Sequence, residues 1–162
     1  MPEVISNTSP LQYLYQIALL DVLRSLYVRV TIPEAVVAEL AEGRARGVAL
    51  PDPAGFPWMY MRPVRDRSLL PQAAYLGPGE QEVLALGLEA PGSLLLLDDA
   101  VARLHAKSLG LTFTGTLGVL LRAKQTGCVR ALTPILDRLE ALRFRLDSRT
   151  RKAVVTLAGE TV

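Results

Sequence analysis

Four consecutive leucines, Leu94–Leu97, run straight into a pair of aspartates, Asp98 and Asp99. An unbroken apolar run of that length suits a strand covered on both faces, because a sheet with one wet face alternates apolar and polar residues. Helices covering both faces require crossover connections, and crossovers make neighbouring strands parallel. The rest of the chain is consistent with that demand. Val4–Ser6 is a short apolar start, closed by the turn and cap residues Asn7-Thr8-Ser9-Pro10. Leu11 through Leu26 keeps helical spacing, with Leu11, Leu14, Ala18 and Val22 along one side and a break near Asp21. Val28, Val30 and Ile32 alternate with charged or hydroxyl residues, as a strand does.

Further on, Pro33 fits the first turn of a helix over Glu34 to Glu42, which Gly43 can stop. The prolines at 51, 53 and 57 mark Gly47 to Gly55 as loop, Trp58–Val64 reads as a strand, and Arg65 to Leu76 stays ambiguous. Gly77-Pro78-Gly79 opens a helix to about Ala90, and Pro91-Gly92 ends it. Asp98-Asp99 caps a helix to Leu109 with Gly110 at its C′ position; Thr112–Thr114 is a last strand; Gly115-Thr116 leads into a helix to Gln125, stopped by Gly127. Thr133-Pro134 starts a helix to Arg143, and Ser148 caps a final one that ends before Gly159. Strand and helix alternate throughout, which predicts a parallel sheet with helices on both faces.

Composition narrows the function. Half of the 162 residues are hydrophobic, enough for one domain with a sizeable core. A net charge of +2 permits a nucleic-acid partner without arguing for one. The single cysteine, Cys128, rules out an intramolecular disulfide and a cysteine-built zinc site, and the single histidine, His105, rules out a multi-histidine one. No apolar, charge-free run is long enough to span a bilayer, and Glu3 stands where a signal peptide would carry basic charge; a cytoplasmic protein with no membrane partner is expected. The positive mean hydropathy points to extra apolar surface, and so to a homodimer or a bound partner.

The acids recur at predicted strand ends and helix starts: Glu39, the pair Glu80 and Glu82, and Asp98-Asp99, with the amide Asn7 closing the first strand. Carboxylates about 4 Å apart repel by roughly 4 kcal/mol at an effective dielectric of 20, so a true cluster needs protons or a cation. Oxygen-only ligands suit Mg²⁺ or Mn²⁺, which makes metal-assisted phosphodiester chemistry the first hypothesis. Helical spacing puts Glu80 on a stripe with Val83, Leu84 and Gly87, toward the core, and Glu82 on a mixed face where it would only complement the helix dipole. Glu39 lies at the edge of the Val36, Val37 and Leu40 stripe. One of Asp98 and Asp99 can cap the next helix while the other faces the crevice at the strand end. Arg103 and Lys107 lie near Asp99, where they can pair with it or reach a phosphate. The basic run from Arg143 to Lys152 reads as solvated surface, and no GxGxxG or Walker lysine supports a nucleotide site.

Taken in order, five segments resemble a PIN domain: Val4-Ile5-Ser6-Asn7-Thr8-Ser9-Pro10-Leu11; Ile32-Pro33 with Glu39-Leu40; Gly77-Pro78-Gly79-Glu80-Gln81-Glu82; Leu96-Leu97-Asp98-Asp99 with Ala102-Arg103; and Thr114-Gly115-Thr116-Leu117-Gly118-Val119-Leu120. The likeness is to small prokaryotic proteins related to VapC toxins, with an NTSP-type N-terminal turn. It implies a three-layer α/β/α fold around a central parallel sheet, with a PIN-like domain over residues 1–126 and a C-terminal helical extension over 127–162 packed on it. It also implies a toxin-type endoribonuclease that uses Mg²⁺ or Mn²⁺ on an RNA substrate, forms a homodimer and is blocked by a small antitoxin. The family's site positions fall on Asn7, Glu39, Glu80 and the Asp98-Asp99 pair, with Asp98 preferred and Asp99 as the alternate. Arg103 is then a phosphate contact and Glu82 a lesser site acid. One departure stands out: the first position, usually aspartate, is Asn7. Its amide oxygen can accept or ligate but brings no charge, so a degenerate domain that binds RNA or protein without cleaving is the alternative.

Overall fold

In a computed structural model of the chain, which describes residues 2–161, the leucine run is an interior strand of the sheet, beside the central one. The strands are β1 (Val4–Ser6), β2 (Val30–Ile32), β3 (Met59–Met61), β4 (Leu94–Leu96) and β5 (Thr112–Thr114). They pair in the order β3-β2-β1-β4-β5, every neighbour parallel. Val4, Ile5 and Ser6 stand opposite Leu94, Leu95 and Leu96. Leu95 and Leu96 point to opposite faces of the pleat and both are fully buried, so helices cover the sheet on both sides. The result is a three-layer α/β/α domain.

The helices are α1 (Thr8–Gln16), α2 (Asp21–Tyr27), α3 (Glu34–Ala45), α4 (Pro78–Glu89), α5 (Ala100–Ser108), α6 (Thr116–Gln125), α7 (Thr133–Ala141) and α8 (Ser148–Leu157). Helix α4 packs on α3, α5, β1 and β4, and it buries every residue from Glu82 to Gly87. α1 and α2 pack on α6, and α8 packs on α6 as well. No helix among the described residues is long and apolar enough to cross a membrane.

Several element boundaries differ from the sequence expectation, each for a local reason. Helix α1 begins at Thr8 rather than Leu11, because Pro10 falls in the first turn, where its missing N–H costs nothing. It stops at Gln16, well before Asp21. Ala18 takes a φ of 60° and leaves the apolar stripe, while Ile17 and Leu20 are buried beside it. Val28 ends α2 with a φ of 68° and faces solvent, so the second strand starts at Val30. Gly43 does not stop α3; the helix runs to Ala45 and turns at Gly47, with a φ of 85°. Gly43 instead makes room for Leu50, whose Cδ1 occupies the space a Cβ would need.

The last two helices are capped by acids that local spacing did not single out. Asp147, not Ser148, accepts the Thr150 N–H at 2.8 Å at the start of α8. Glu160 reaches back to the start of α7, accepting the Leu132 N–H at 2.6 Å, the Thr133 N–H at 3.0 Å and the Thr133 hydroxyl at 2.8 Å. Lys124 donates to the same carboxylate at 3.2 Å. These donors hold the Glu160 pKa down at about 2, the Leu132 N–H contributing most. A depressed carboxylate pKa adds stability above the unfolded value of 4.5 and loses it as pH falls toward 2. Glu160→Ala should therefore cost about 1–2 kcal/mol at neutral pH, the range of a lost helix cap. In denaturant titrations the gap to wild type is expected to shrink between about pH 4.5 and pH 2.

Candidate active site

β1 is flanked by β2 on one side and β4 on the other, so the chain leaves it in one direction and returns in the opposite one. Between β1 and β4 the connections diverge, which opens a crevice at their carboxyl ends, where open parallel sheets bind ligands. Asn7 follows β1 directly and its N–H donates to the Leu96 carbonyl at 3.1 Å. Asp98 follows β4 by two residues. The two side chains flank the switch point because their strands are neighbours.

Asn7 is buried, and its Oδ1 has no hydrogen-bond donor among the described residues. Leaving such an oxygen unpaired costs about 1–3 kcal/mol, so it calls for a partner. Beside it the backbone of α4 comes very close. A Cβ placed on Gly79 would stand 2.5 and 2.7 Å from the two Glu39 carboxylate oxygens and 2.9 Å from Asn7 Oδ1. Only glycine permits that convergence. Thr8, one residue into α1, donates its hydroxyl to Glu39 Oε2 at 3.1 Å. Burial raises the Glu39 pKa; the Thr8 hydroxyl and Gly79 N–H pull it back, and the nearby Glu80 and Glu82 charges push it up further. Glu80 turns its carboxylate back over Gly77, 2.8 Å from where a Cβ would be.

Across the switch point Asp98 faces the start of α6. Thr116, fully buried, donates its N–H to Oδ1 at 2.7 Å and its hydroxyl to Oδ2 at 2.6 Å. Gly115 leaves the space for this, since its Cβ would meet Asp98 Oδ1 at 2.7 Å. Burial raises the Asp98 pKa, against the opposing pull of Thr116 and then of the Arg103 charge. The Arg103 guanidinium lies over the Phe113 ring, 5.1 Å from its centroid, and beside Asp98 rather than Asp99. Asp99 is exposed and caps α5, accepting the Ala102 N–H at 2.9 Å.

The structure thus brings Asn7, Glu39 and Glu80 to one side of the crevice and Asp98 with Arg103 to the other, with Asp99 occupied elsewhere. Glu82 and Glu80 exchange the orientations expected from helical spacing. Glu82 is buried, accepting the Ala35 N–H at 2.9 Å at the start of α3 and pairing with Arg67 at 3.3 Å, while Glu80 is half-buried at the crevice. Thr8, Gly79, Phe113 and Thr116 were not singled out from sequence. Thr8, Gly79 and Thr116 fall within the motif segments, whereas nothing local marks Phe113. Among the described residues no group of three or more His, Cys, Asp or Glu side chains is positioned to hold a metal ion. The smaller set of Asn7 Oδ1 and the Glu39 carboxylate nevertheless fits a hard divalent cation: it is all oxygen, one member lacks a donor, and the adjacent Gly79 has no side chain.

A family model described as a PIN domain matches residues 3–160, running from the first strand through the last helix. No curated protein and no solved structure matches the chain.

Two outcomes follow from the raised carboxylates. The folded state holds a proton on Glu39 more readily than the unfolded chain does, so the charged form weakens the fold at neutral pH. Glu39→Gln is expected to melt above wild type at pH 7 in metal-free buffer, with the difference vanishing below about pH 4.5, the ordinary glutamate range. Thr116→Val deletes one charge-assisted hydrogen bond to a half-buried acid and should cost about 1.5–3 kcal/mol in chemical denaturation.

Proposed function

The chain belongs to the PIN-domain family, generally a nuclease fold and typically dependent on divalent metal, and from that premise we propose that it is a Mg²⁺- or Mn²⁺-dependent endoribonuclease of toxin type. The observation that carries the reading is the convergence of Glu39 and the donorless Asn7 oxygen on the bare backbone of Gly79, at the switch point of the sheet. Asn7 and Glu39 would hold the ion, and Glu80 and Asp98, at the crevice beside them, would act on it through bound water rather than as direct ligands. When bound, it supplies charge stabilisation to the scissile phosphate and a more acidic attacking water.

The chain's own groups provide the remainder. Thr116 keeps Asp98 in one orientation by occupying both of its oxygens, and Thr8 does the same for one oxygen of Glu39. Arg103 is held on Phe113 with donors free of any ion pair among the described residues, in position to neutralise a phosphate at the rim. No residue here is a stand-alone nucleophile: Cys128 is exposed outside the crevice and His105 lies on α5. A cytoplasmic RNA target, a small antitoxin and a homodimer belong to the same proposal. Exposed Leu104 and Leu157 are apolar surface for such partners.

A second reading, a degenerate domain that binds RNA or protein without cleaving, draws support from Asn7 and from the lack of a three-acid group among the described residues. The two separate cleanly in one assay. With purified protein, single-stranded RNA and Mn²⁺, Glu80→Ala or Asp98→Ala should lower cleavage at least about 100-fold. Undiminished cleavage in both variants removes the site from consideration. Asn7→Asp should strengthen Mn²⁺ binding by roughly tenfold or more in calorimetry; cleavage that appears only in this variant selects the degenerate reading.

A further inference from the structure

A second concavity lies away from the crevice, where α2 and α6 stand over the β4–β5 side of the sheet. It holds about 360 Å³, within the range of small-molecule sites. Ser93, immediately before β4, lines it; the residue is 4% exposed and its Oγ has no partner among the described residues. A buried hydroxyl without a partner is uncommon and costs about 1–3 kcal/mol unless something in the cleft completes it. Thr112 and Thr114 add two more hydroxyls from β5. Gly118 of α6 has no Cβ because Thr114 Oγ1 fills that space, which lets the helix lie close to the strand.

The cleft also has a cation. Arg122, in the last turn of α6, lines it, and among the described residues its guanidinium makes no ion pair and no hydrogen bond. It lies near enough to Tyr27 for its charge to lower the phenol's pKa, against the larger upward push of burial. No acidic side chain lines the cleft to compete for that charge. A free guanidinium, a buried unpaired hydroxyl and an apolar wall from Leu94 describe a ligand with one anionic group and a compact apolar body. Neither the crevice residues nor the nuclease chemistry uses any of these groups.

We propose that this cleft binds a small organic anion, a carboxylate or a phosphate monoester, whose charged end pairs with Arg122 and accepts from Ser93. Because the site lies apart from the crevice, the inference stands whether or not the protein cleaves RNA.

The test is a ¹⁵N-NMR titration of the intact protein in EDTA-containing buffer, with phenyl phosphate in one arm and benzoate in the other. Saturable shifts of the Ser93, Thr112 and Gly118 amides are expected in at least one arm, and the responsive arm identifies the anion. Arg122→Gln should weaken that binding about tenfold or more, as loss of a charge-assisted bond does. Ser93→Ala should weaken it while leaving the fold as stable as wild type or more so. If Arg122→Gln does not fold, Arg122→Lys is expected to show a several-fold loss. Absence of saturable shifts in both arms, shifts confined to Asn7 and Thr116 in the crevice, or an affinity unchanged by the Arg122 substitution would each overturn the proposal.

Discussion

The pairing of β1 with β4 is the constraint on which everything functional rests. Three residue pairs fix it: Val4 with Leu94, Ile5 with Leu95 and Ser6 with Leu96. A slip of one residue would turn every side chain of one strand to the other face. Ile5 and Leu95 would then lose their packing, and Asn7 would no longer lie level with the end of the leucine run. The leucines that bury β4 in the core thus also set where Asn7 and Asp98 end up. Burial of the strand and placement of the polar residues are one event in folding.

Much of the architecture was legible from the chain because the signals are local and repeated. A four-leucine strand, glycines after α5 and α6, and alternating periods of two and 3.6 residues specify a parallel sheet under helices. Less was legible where a decision rests on something far along the sequence. Helical spacing misassigns the orientations of Glu80 and Glu82 because a helical wheel assumes one wet face. Helix α4 has almost none after its first turn, with six successive residues buried, so spacing alone cannot tell which acid is enclosed. Asp98 and Asp99 are equivalent in sequence; the cap on α5 and the Thr116 hydroxyl separate them. Glu160 gives no hint of its role, since the helix it caps begins almost thirty residues earlier.

Around the crevice the chain gives up stability that a different set of side chains would keep. Burial raises both Glu39 and Asp98, and Asn7 Oδ1 has no donor. Groups assembled at such a cost are a mark of function, because packing alone would replace them with apolar or paired residues. The asparagine softens the conflict. With an uncharged amide beside Glu39, one repulsive pair is missing that an aspartate would create. The same choice that eases folding lowers the attraction for a cation, so Asn7 adjusts the balance between the two.

Glu82 is where that balance acquires a mechanical side. Its carboxylate grips the first turn of α3 through Ala35 and holds Arg67 from the segment between β3 and α4. Glu39 rides on α3 one turn beyond that grip, while Gly79 and Glu80 ride on α4 just ahead of Glu82. The two helices are therefore riveted together immediately beneath the oxygens they present. The spacing between Glu39 and the Gly79–Glu80 turn is thereby tied to a single carboxylate that lies outside the crevice itself.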